Sequence, residues 1–484
     1  VNYMINENHS LGAFYKYDRH PKSDFTDMLL TDEYENDILT EHSESDIRQS
    51  DESRKHIFNA YYNGKVGNLG IDFNVDGLFN KAETPGSTVE MATTATGETA
   101  QRSIESNTKN GNDFWATKLI FSYPVWNGEL SLGGEYSHNH RTDAYSFTTS
   151  ESVPVKATDT EINESATAAF FEYGRAFGRV FAQVGLRYEN LTNNYFNFGV
   201  REDEVCRNYG DWFPSAIISM PIGQVQLSLS YRRDIKRPDY SNLTSSTIYI
   251  NRYAYQSGNP YLKPTYTHSL VLNSAYKWIN LILNYGRIKN SVTLSTEPYP
   301  GSDDPKISLV HPINTDEDYD QLSVIFVAAP TVGCWHPEWS VFTVFQNYKT
   351  PCADGSIKTL NHPFMQISWE NVIELPQGFR LNANLLWESR GDYNNFRINK
   401  NRFNTTLGLQ RDFSLGRMGT LTADLRCHDI FNTSKTGAIV YGPREIYSYN
   451  PARRTFSLDL TWKFNAVRSK YRGTGAGDSQ KARM

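Results

Sequence analysis

Apolar and polar residues alternate with a period of two in many segments of the chain. Near the C-terminus, Phe456, Leu458, Leu460, Trp462 and Phe464 are separated by single polar or charged residues. This spacing places the two sets on opposite faces of a β-strand, whereas a helix would scatter both sets around its axis. Segments of this kind recur along the whole chain, so the pattern predicts an all-β protein.

The alternation predicts about eighteen strands, joined by links of two kinds. The strands are expected near residues 10–19, 54–66, 68–80, 113–125, 129–141, 164–175, 179–195, 211–220, 224–234, 264–278, 280–295, 317–329, 338–349, 362–375, 379–391, 401–414, 419–432 and 454–464. Short links rich in Gly, Asn and Pro join strands in pairs, and these residues favour hairpin turns. Long polar links separate the pairs at 20–53, 81–112, 142–163, 235–263, 296–316, 350–361 and 433–453.

The sorting of link lengths indicates a transmembrane antiparallel β-barrel. Such barrels have short periplasmic turns, long extracellular loops and aromatic girdles at both interfaces. The polar faces of the predicted strands carry full charges such as Asp72, Arg232 and Asp424. A dry protein core rarely tolerates such charges, whereas a water-filled lumen accepts them. We therefore expect residues 1–465 to form the barrel and residues 466–484 to form a flexible periplasmic tail.

The composition argues against several other classes of protein. The 484-residue chain has a formal net charge of −6, which provides no basic field for a nucleic acid. No stretch approaches the ~20 apolar residues of a transmembrane helix. The four cysteines lack metal-binding spacing, and no known catalytic motif is present. We expect no enzymatic activity, no cofactor and no metal site, while pairing of Cys206 with Cys352 stays open.

The most specific segment covers residues 231–266. It begins as a strand that ends at a proline, continues as a long loop and returns through a Gly-Asn-Pro turn to the next strand. Candidate ligand contacts at the outer rim are Arg232, Arg233, Arg237 and Tyr240. A structural loop motif comprises Pro238, Asn259, Pro260, Leu262 and Pro264. The first set could either contact a ligand or order the loop. The prolines favour ordering, and Arg237 could then bind carbonyls of the loop.

This segment resembles the signature of TonB-dependent receptor barrels in the outer membrane protein beta-barrel family. The match rests on the Arg-Arg, Arg-Pro and Tyr positions within 231–243 and on the Gly-Asn-Pro-Tyr-Leu-Lys-Pro run at 258–264. Residues 429–432 and 471–477 resemble the end of that family's penultimate strand and its C-terminal end. The resemblance extends over most of the chain. It implies a 22-stranded barrel, preceded by a plug that fills the lumen and a TonB-contacting segment.

The same resemblance implies a function in the cell outer membrane. Members of the family import scarce ligands such as siderophores, glycans or peptides, driven by the proton gradient through TonB. The expected partners are outer-membrane lipid and lipopolysaccharide, TonB through a missing N-terminal region, and an unknown small ligand. A surface lipoprotein is a further candidate partner, and no nucleic acid is expected.

The chain departs from the family pattern toward its N-terminus. About eighteen of the expected 22 strands are recognised, and no plug is recognised. We therefore expect an N-terminally truncated barrel that contains strands five to twenty-two. Residues 10–19 should then form a free sheet edge or pair improperly with residues 454–464, although an unpaired edge inside a bilayer is energetically costly.

Two alternatives remain open at this stage. A passive pore of eighteen strands would need residues 10–19 to pair with 454–464, and the acidic link 24–52 could then form its constriction. An outer-membrane enzyme or a surface adhesion barrel would need a catalytic triad aligned at one depth on adjacent outward faces, and none is recognised in the sequence.

Overall fold

The computed structural model describes residues 1–464 and 473–484, and almost all regular structure in them is β-strand. The first strands are β1 (Asn2–Asn6), β2 (His9–Glu35), β3 (Ile38–Val66), β4 (Leu69–Thr94), β5 (Thr99–Val125), β6 (Gly128–Thr149), β7 (Thr158–Phe177), β8 (Val180–Asn197), β9 (Val200–Arg201), β10 (Arg207–Ile222), β11 (Val225–Lys236), β12 (Thr247–Asn251), β13 (Ala254–Ser257), β14 (Thr265–Tyr276) and β15 (Ile279–Lys289).

The later elements are β16 (Val292–Pro298), β17 (Ser308–Asn314), β18 (Tyr319–Ala328), β19 (Trp335–Gln346), β20 (Tyr348–Pro351), β21 (Ile357–Leu360), β22 (Phe364–Glu374), β23 (Phe379–Glu388), β24 (Gly391–Tyr393), β25 (Phe396–Ile398), β26 (Arg402–Ser414), β27 (Thr420–His428), β28 (Thr436–Val440), β29 (Ile446–Asn450), β30 (Thr455–Lys463) and α1 (Asp478–Lys481). Short 3₁₀ turns lie at Tyr240–Leu243, Pro376–Gly378 and Gly416–Met418. None of the helical segments in the described part of the chain has the length and apolar character needed to cross a membrane.

One antiparallel sheet of twenty strands dominates the structure, and we call it the wall sheet. Apart from the strands at its two ends and the short β9, which pairs with β8 alone, each strand pairs with the wall strands that precede and follow it along the chain, and β8 pairs directly with β10. The eighteen principal strands are β2 to β8, β10, β11, β14, β15, β18, β19, β22, β23, β26, β27 and β30; the short β1 and β9 complete the twenty. All eighteen strands predicted from the alternation are therefore confirmed.

Two of the predicted long links and part of a third are wrong, because the chain there continues as strand. Residues 20–53 form the upper parts of β2 and β3, joined by a tight turn at Asn36 and Asp37 with φ of +49° and +64°. Residues 81–112 extend β4 and β5 in the same way, and much of 142–163 extends β6 and β7. Polar and apolar residues are mixed on both faces of these extensions, so they lack the regular apolar alternation that identifies a half-buried strand.

The wall sheet has an apolar face turned outward and a polar face turned inward. On β4, Asn74 is fully buried and Asp76 nearly so, while their neighbour Phe73 is exposed on the opposite face. On β11 and β30, Leu229 and Leu458 are 41% and 63% exposed. This arrangement is the reverse of the usual one in water, where large exposed apolar surfaces are rare on monomers.

The wall sheet has two edges among the described residues. β30 pairs with β27 alone, and β1 pairs with β2 alone, from Asn2 opposite Gly12 to Asn6 opposite His9. Beyond that short pairing, β2 has a neighbouring strand, β3, on one side only. No pairing in the described chain joins residues 10–19 to residues 454–464, so the predicted sheet edge at 10–19 is present from residue 14 onward.

A second, smaller sheet crosses the long-loop end of the wall. It contains β12, β13, β17 and β16 in that order, and we call it the lid sheet. Its strands leave the wall between β11 and β14 and between β15 and β18, yet Tyr249 and Tyr253 contact β2, β3 and β4. The wall therefore curls until β11 and β4 lie on opposite sides of an enclosed space. Tyr249 and Tyr255 of the lid strands pack with Tyr299 in one buried cluster.

The C-terminal residues differ from the flexible tail that the sequence suggested. Residues 466–472 of that predicted tail lie outside the described residues, whereas residues 473–484 lie against the inner face of the wall. Ala476 is fully buried there, and Arg483 pairs with Glu164 of β7. The sequence predicts flexibility for this segment, whereas in the structure carboxylates of the wall contact Lys481 and Arg483. The open question of a disulfide is also answered, since all four cysteines are free.

Candidate ligand site at the outer mouth

Arg232 and Arg233 follow each other at the upper end of β11, but their surroundings differ. The side chain of Arg232 is 65% exposed and lies 2.6 Å from Asp234. The guanidinium of Arg233 donates to the backbone carbonyl of Trp212 at 2.7 Å and to Asp211 at 3.0 Å, and it lies over the ring of Tyr266. Arg233 therefore connects β10, β11 and β14, while Arg232 remains accessible for a ligand.

Arg237 and Tyr240 are buried just above the end of β11. Arg237 is only 6% exposed and forms an ion pair with Glu189 of β8. The hydroxyl of Tyr240 donates to Glu164 of β7 at 2.9 Å. Both residues bring the loop that follows β11 onto the wall. Their burial fits the ordering role that the prolines favoured, although Arg237 binds a carboxylate rather than the loop carbonyls.

The two carboxylates that receive these groups could not be identified from the sequence. Glu164 and Glu189 occupy inward positions on strands whose polar faces carry many similar residues. Glu189 also accepts from Arg187 at 2.8 Å, and Arg187 reaches Glu135 at 2.9 Å. The only available signal was their place in the period-two alternation of the strand. That place predicts an inward position but says nothing about a partner many residues away.

The loop motif closes the segment between β13 and β14. Asn259 donates through its side-chain amide to the carbonyl of Pro312, and its own backbone amide donates to the carbonyl of Asn242 at 2.7 Å. Leu262 is buried in a cluster with Tyr240 and Leu243. The remaining members of the motif are Pro238 and Pro264, which are buried, and Pro260, which is half-buried. These contacts hold the lid sheet against the wall on the side of the opening where the lid strands leave the wall.

Charged residues anchor the lid sheet to the opposite side of the opening. The hydroxyl of Tyr253 lies 2.8 Å from Glu41 and 2.9 Å from Glu33, at the top of β3 and β2. Arg252 lies 3.3 Å from Glu41, and Lys306 lies 2.5 Å from Glu33. The lid is thus held at both ends, and acidic wall residues form the far anchor.

These anchors change the acidity of the groups that form them. Partial burial alone would raise the pKa of Glu33, but hydrogen bonds from Lys306 and Tyr253 lower the pKa below its usual value. Burial and the two neighbouring carboxylates raise the pKa of Tyr253 well above the usual value for tyrosine. Glu33 is therefore charged and Tyr253 is a neutral donor at neutral pH.

A small cleft of about 120 Å³ lies beside the lid and is a candidate for ligand contact. Its volume is below that of a typical small-molecule site, so it would hold one part of a ligand. It lies between β16, β17 and the loops around β20 and β28, and its lining includes Asp316, Glu317, Tyr348, Lys349, Asn395 and Tyr441. A neighbouring space of about 530 Å³ shares Tyr348 with it and reaches Arg237 and Pro238.

The chemistry of this cleft suits recognition through rings and hydrogen bonds. Burial raises the pKa of Tyr348 to about 12, so its hydroxyl stays protonated and can donate. Lys349 lies 2.6 Å from Glu317, which leaves this pair close to neutral overall. Tyr441 lies beneath the ammonium group of Lys358, 4.2 Å from the ring centre. A polar ligand with a planar or sugar-like face would match this lining.

Exposed aromatic residues mark two levels on the outward face of the wall. Tyr123, Trp278 and Trp462 lie near the short turns, whereas Trp115 and Trp212 lie higher. The higher level is roughly ten residues from the nearest short turn, the length that a tilted strand needs to cross the hydrocarbon core. Aromatic girdles at this spacing, with an apolar band between them, are typical of barrels that span an outer membrane.

One family profile matches this chain, and several solved structures are similar to it. Residues 63–462 match the sequence profile described as the outer membrane protein beta-barrel family. No curated protein matches the chain. The fold is similar to the ferric enterobactin receptor PfeA of Pseudomonas aeruginosa, with a TM-score of 0.48, 12% identity and coverage of 94% of this chain and 80% of that chain.

Two further solved structures are similar at the same level. One is the iron transporter FrpB of Neisseria meningitidis, with a TM-score of 0.46, 10% identity and coverage of 95% and 82%. The other is the hemophore receptor HasR of Serratia marcescens, with a TM-score of 0.45, 11% identity and coverage of 91% and 76%. These likenesses are too distant to indicate a ligand. The profile covers most of the chain, which therefore belongs to the outer membrane protein beta-barrel family and resides in the cell outer membrane.

Proposed function

We propose that this chain is the barrel of an outer-membrane receptor that takes up a small ligand with energy supplied through TonB. The observation that carries the proposal is the lid sheet, which crosses the outer mouth above a polar inner face. A porin of similar size leaves an aqueous channel for free diffusion. A mouth held closed at both ends instead favours a protein that binds its ligand first and moves it in a separate, energised step.

The edges of the wall support the second part of the proposal. A strand edge that faces lipid leaves backbone N–H and C=O groups unpaired, each at a cost of several kcal/mol. β2 and β30 have such edges in the described chain. We propose that further strands complete the barrel, as the resemblance implies, and that TonB is contacted by a region outside this chain. The same proposal assigns no reaction and no cofactor to the barrel.

The passive pore remains the second reading, and a permeability measurement separates the two. The native protein, purified from outer membranes of its own cells, would be inserted into liposomes that swell when arabinose enters. We expect swelling no faster than in protein-free liposomes, because the lid closes the mouth. Rapid swelling would favour the passive pore.

A second measurement addresses the energy source. Formaldehyde cross-linking in the source cells should join the native protein to TonB, and the product should be recognised by mass spectrometry. A control without cross-linker reports non-specific association. As a positive control, another receptor in the same cells should be cross-linked to TonB. If that control succeeds and this protein repeatedly fails to recover TonB, uptake driven through TonB would be contradicted.

A further inference from the structure

The last residues of the chain follow the inner face of the wall from the short-turn end toward the mouth. β30 ends near the short turns, and Thr474 then contacts Asp72 and Asn74 at the lower end of β4. Farther along, Arg483 contacts Glu164 of β7 and the backbone of Pro238 in the loop above β11. Residues 473–484, which we call the C-terminal peptide, therefore cross much of the height of the lumen.

The lower half of the C-terminal peptide fits closely against β4, β5 and β6. The backbone amide of Ala476 donates to Asp76, and that of Gly477 donates to Glu135 at 2.6 Å. Gly477 has a φ of +67°, and a Cβ there would lie 2.4 Å from the ring of Phe114. Glycine is thus required at this position both by the backbone conformation and by the lack of space.

The upper half of the peptide carries two basic side chains, and both meet wall carboxylates. Lys481 lies 3.1 Å from Asp76. Arg483 pairs with Glu164, donates from Nε to the carbonyl of Pro238 at 2.9 Å and stacks 4.1 Å from the ring of Tyr240. A guanidinium with an acidic, a carbonyl and an aromatic partner is bound by charge, hydrogen bond and ring contact together.

We propose that this inner face is a binding site for the chain's own C-terminal peptide, which acts as an internal stopper in the lumen. The groove fits a short basic segment with glycine at position 477 and arginine next to the C-terminus. The peptide also joins β4 and β7 to the loop that carries Tyr240, and thus reaches the base of the lid. Passage of a ligand along this side of the lumen requires the peptide to leave its site.

Cysteine labelling tests the docking without reference to transport. In the native-length protein with its four cysteines replaced by serine, Ala476→Cys and Ala482→Cys would be labelled by a small water-soluble maleimide in detergent or liposomes. Ala476 is fully buried and Ala482 is exposed. We expect Cys at 476 to react at least about tenfold more slowly, because its reaction requires local opening. Equal rates would overturn the proposal.

Charge reversal tests what holds the peptide. Arg483→Glu places a carboxylate beside Glu164 and should bring the labelling rate at position 476 close to that at position 482. Ala482→Glu introduces the same residue at the adjacent exposed position and should leave the slow rate unchanged. These tail substitutions leave the wall strands intact, so loss of folding does not confuse the result. A slow rate in the Arg483→Glu protein would contradict the assigned contact.

A permeability measurement tests the stopper itself. Two variants would be compared by single-channel conductance in planar bilayers. One lacks the lid hairpin 247–257, and the other lacks both that hairpin and residues 473–484. We expect the second variant to have the higher conductance. Unchanged conductance would mean that the peptide is docked without blocking the lumen and would overturn its role as a stopper. Because the labelling result does not depend on TonB or on a ligand, this inference and the proposed function can fail separately.

Discussion

The hydroxyl of Tyr253 lies 2.8 Å from Oε1 of Glu41, although 212 residues separate the two along the chain. Tyr253 belongs to the lid, and Glu41 stands near the top of the tall hairpin formed by β2 and β3. The contact spans the mouth, since the lid strand before Tyr253 leaves the wall on the opposite side. The closed state of the mouth therefore depends on a small number of polar contacts at this far anchor.

Removal of the Tyr253 hydroxyl should loosen the lid. In Tyr253→Phe, Glu33 and Glu41 lose a shared donor, and we expect the free energy of local opening to fall by about 1–3 kcal/mol. Hydrogen exchange of the backbone amides of 247–257 would report this as faster exchange. Tyr261→Phe, at an exposed tyrosine of the same loop, is the matched control and should leave exchange unchanged.

Acid should also open the lid, through Glu33. Its pKa is lowered in the folded protein, so its contribution to stability is present above the unfolded value near 4.5 and is lost as the pH falls through the folded value. We expect exchange of 247–257 to accelerate as the pH is lowered below about 4.5, beyond the intrinsic change in exchange rate. Glu33→Gln should exchange faster at neutral pH and should lose most of this extra acid dependence. An unchanged acid response in that variant would assign the effect to another group.

Among the arginines singled out by the sequence, Arg237 should matter most for stability. Its buried pair with Glu189 is broken in Arg237→Ala, and because Glu189 keeps Arg187 we expect a loss of about 3 kcal/mol, at the lower end for buried pairs. Arg232→Ala removes an exposed pair and should cost below about 1 kcal/mol. Urea unfolding in lipid vesicles, followed by tryptophan fluorescence, would compare the two. Equal losses would contradict the assignment of Arg237 as the buried anchor.

The two faces of the wall should respond differently to a new charge. Leu229→Lys places an ammonium group against lipid and should cost about 2–4 kcal/mol if the residue lies near the midplane. Ser228→Lys places the same group on the inner face, where Ser228 contacts Ser219, and should be tolerated far better. The yield of folded protein in vesicles provides the measure. Similar yields for both variants would contradict the assigned orientation.

The sequence predicted the membrane-spanning part of the fold well for a physical reason. Where one face of a strand meets lipid and the other meets water, the side chains must alternate, and Val225 to Tyr231 on β11 do so without interruption. Above the membrane both faces are wet. The tall parts of β2 and β3 therefore carry residues such as Asp24, Ser50 and Asp51 with no alternation, and they resembled a loop.

The site was harder to predict, because its contacts join residues far apart in the chain. Arg237 and Tyr240 could be singled out from their motif, but their partners Glu189 and Glu164 have no local feature that separates them from other polar wall residues. The C-terminal peptide is rich in glycine and charge, a composition typical of flexible segments. Its order depends on acidic residues of β4, β6 and β7, which only the folded wall brings together.

The orientation of β11 in a bilayer is the most direct test of the whole account. Nitroxide labels would be attached one at a time at positions 225 to 231 in the cysteine-free protein in lipid vesicles. Their accessibility to lipid-soluble oxygen and to a water-soluble nickel complex would then be measured. We predict a strict alternation, with oxygen favoured at 225, 227, 229 and 231 and the nickel complex favoured at 226, 228 and 230. Equal accessibility to the nickel complex at all seven positions would contradict a membrane-spanning wall with a water-filled interior.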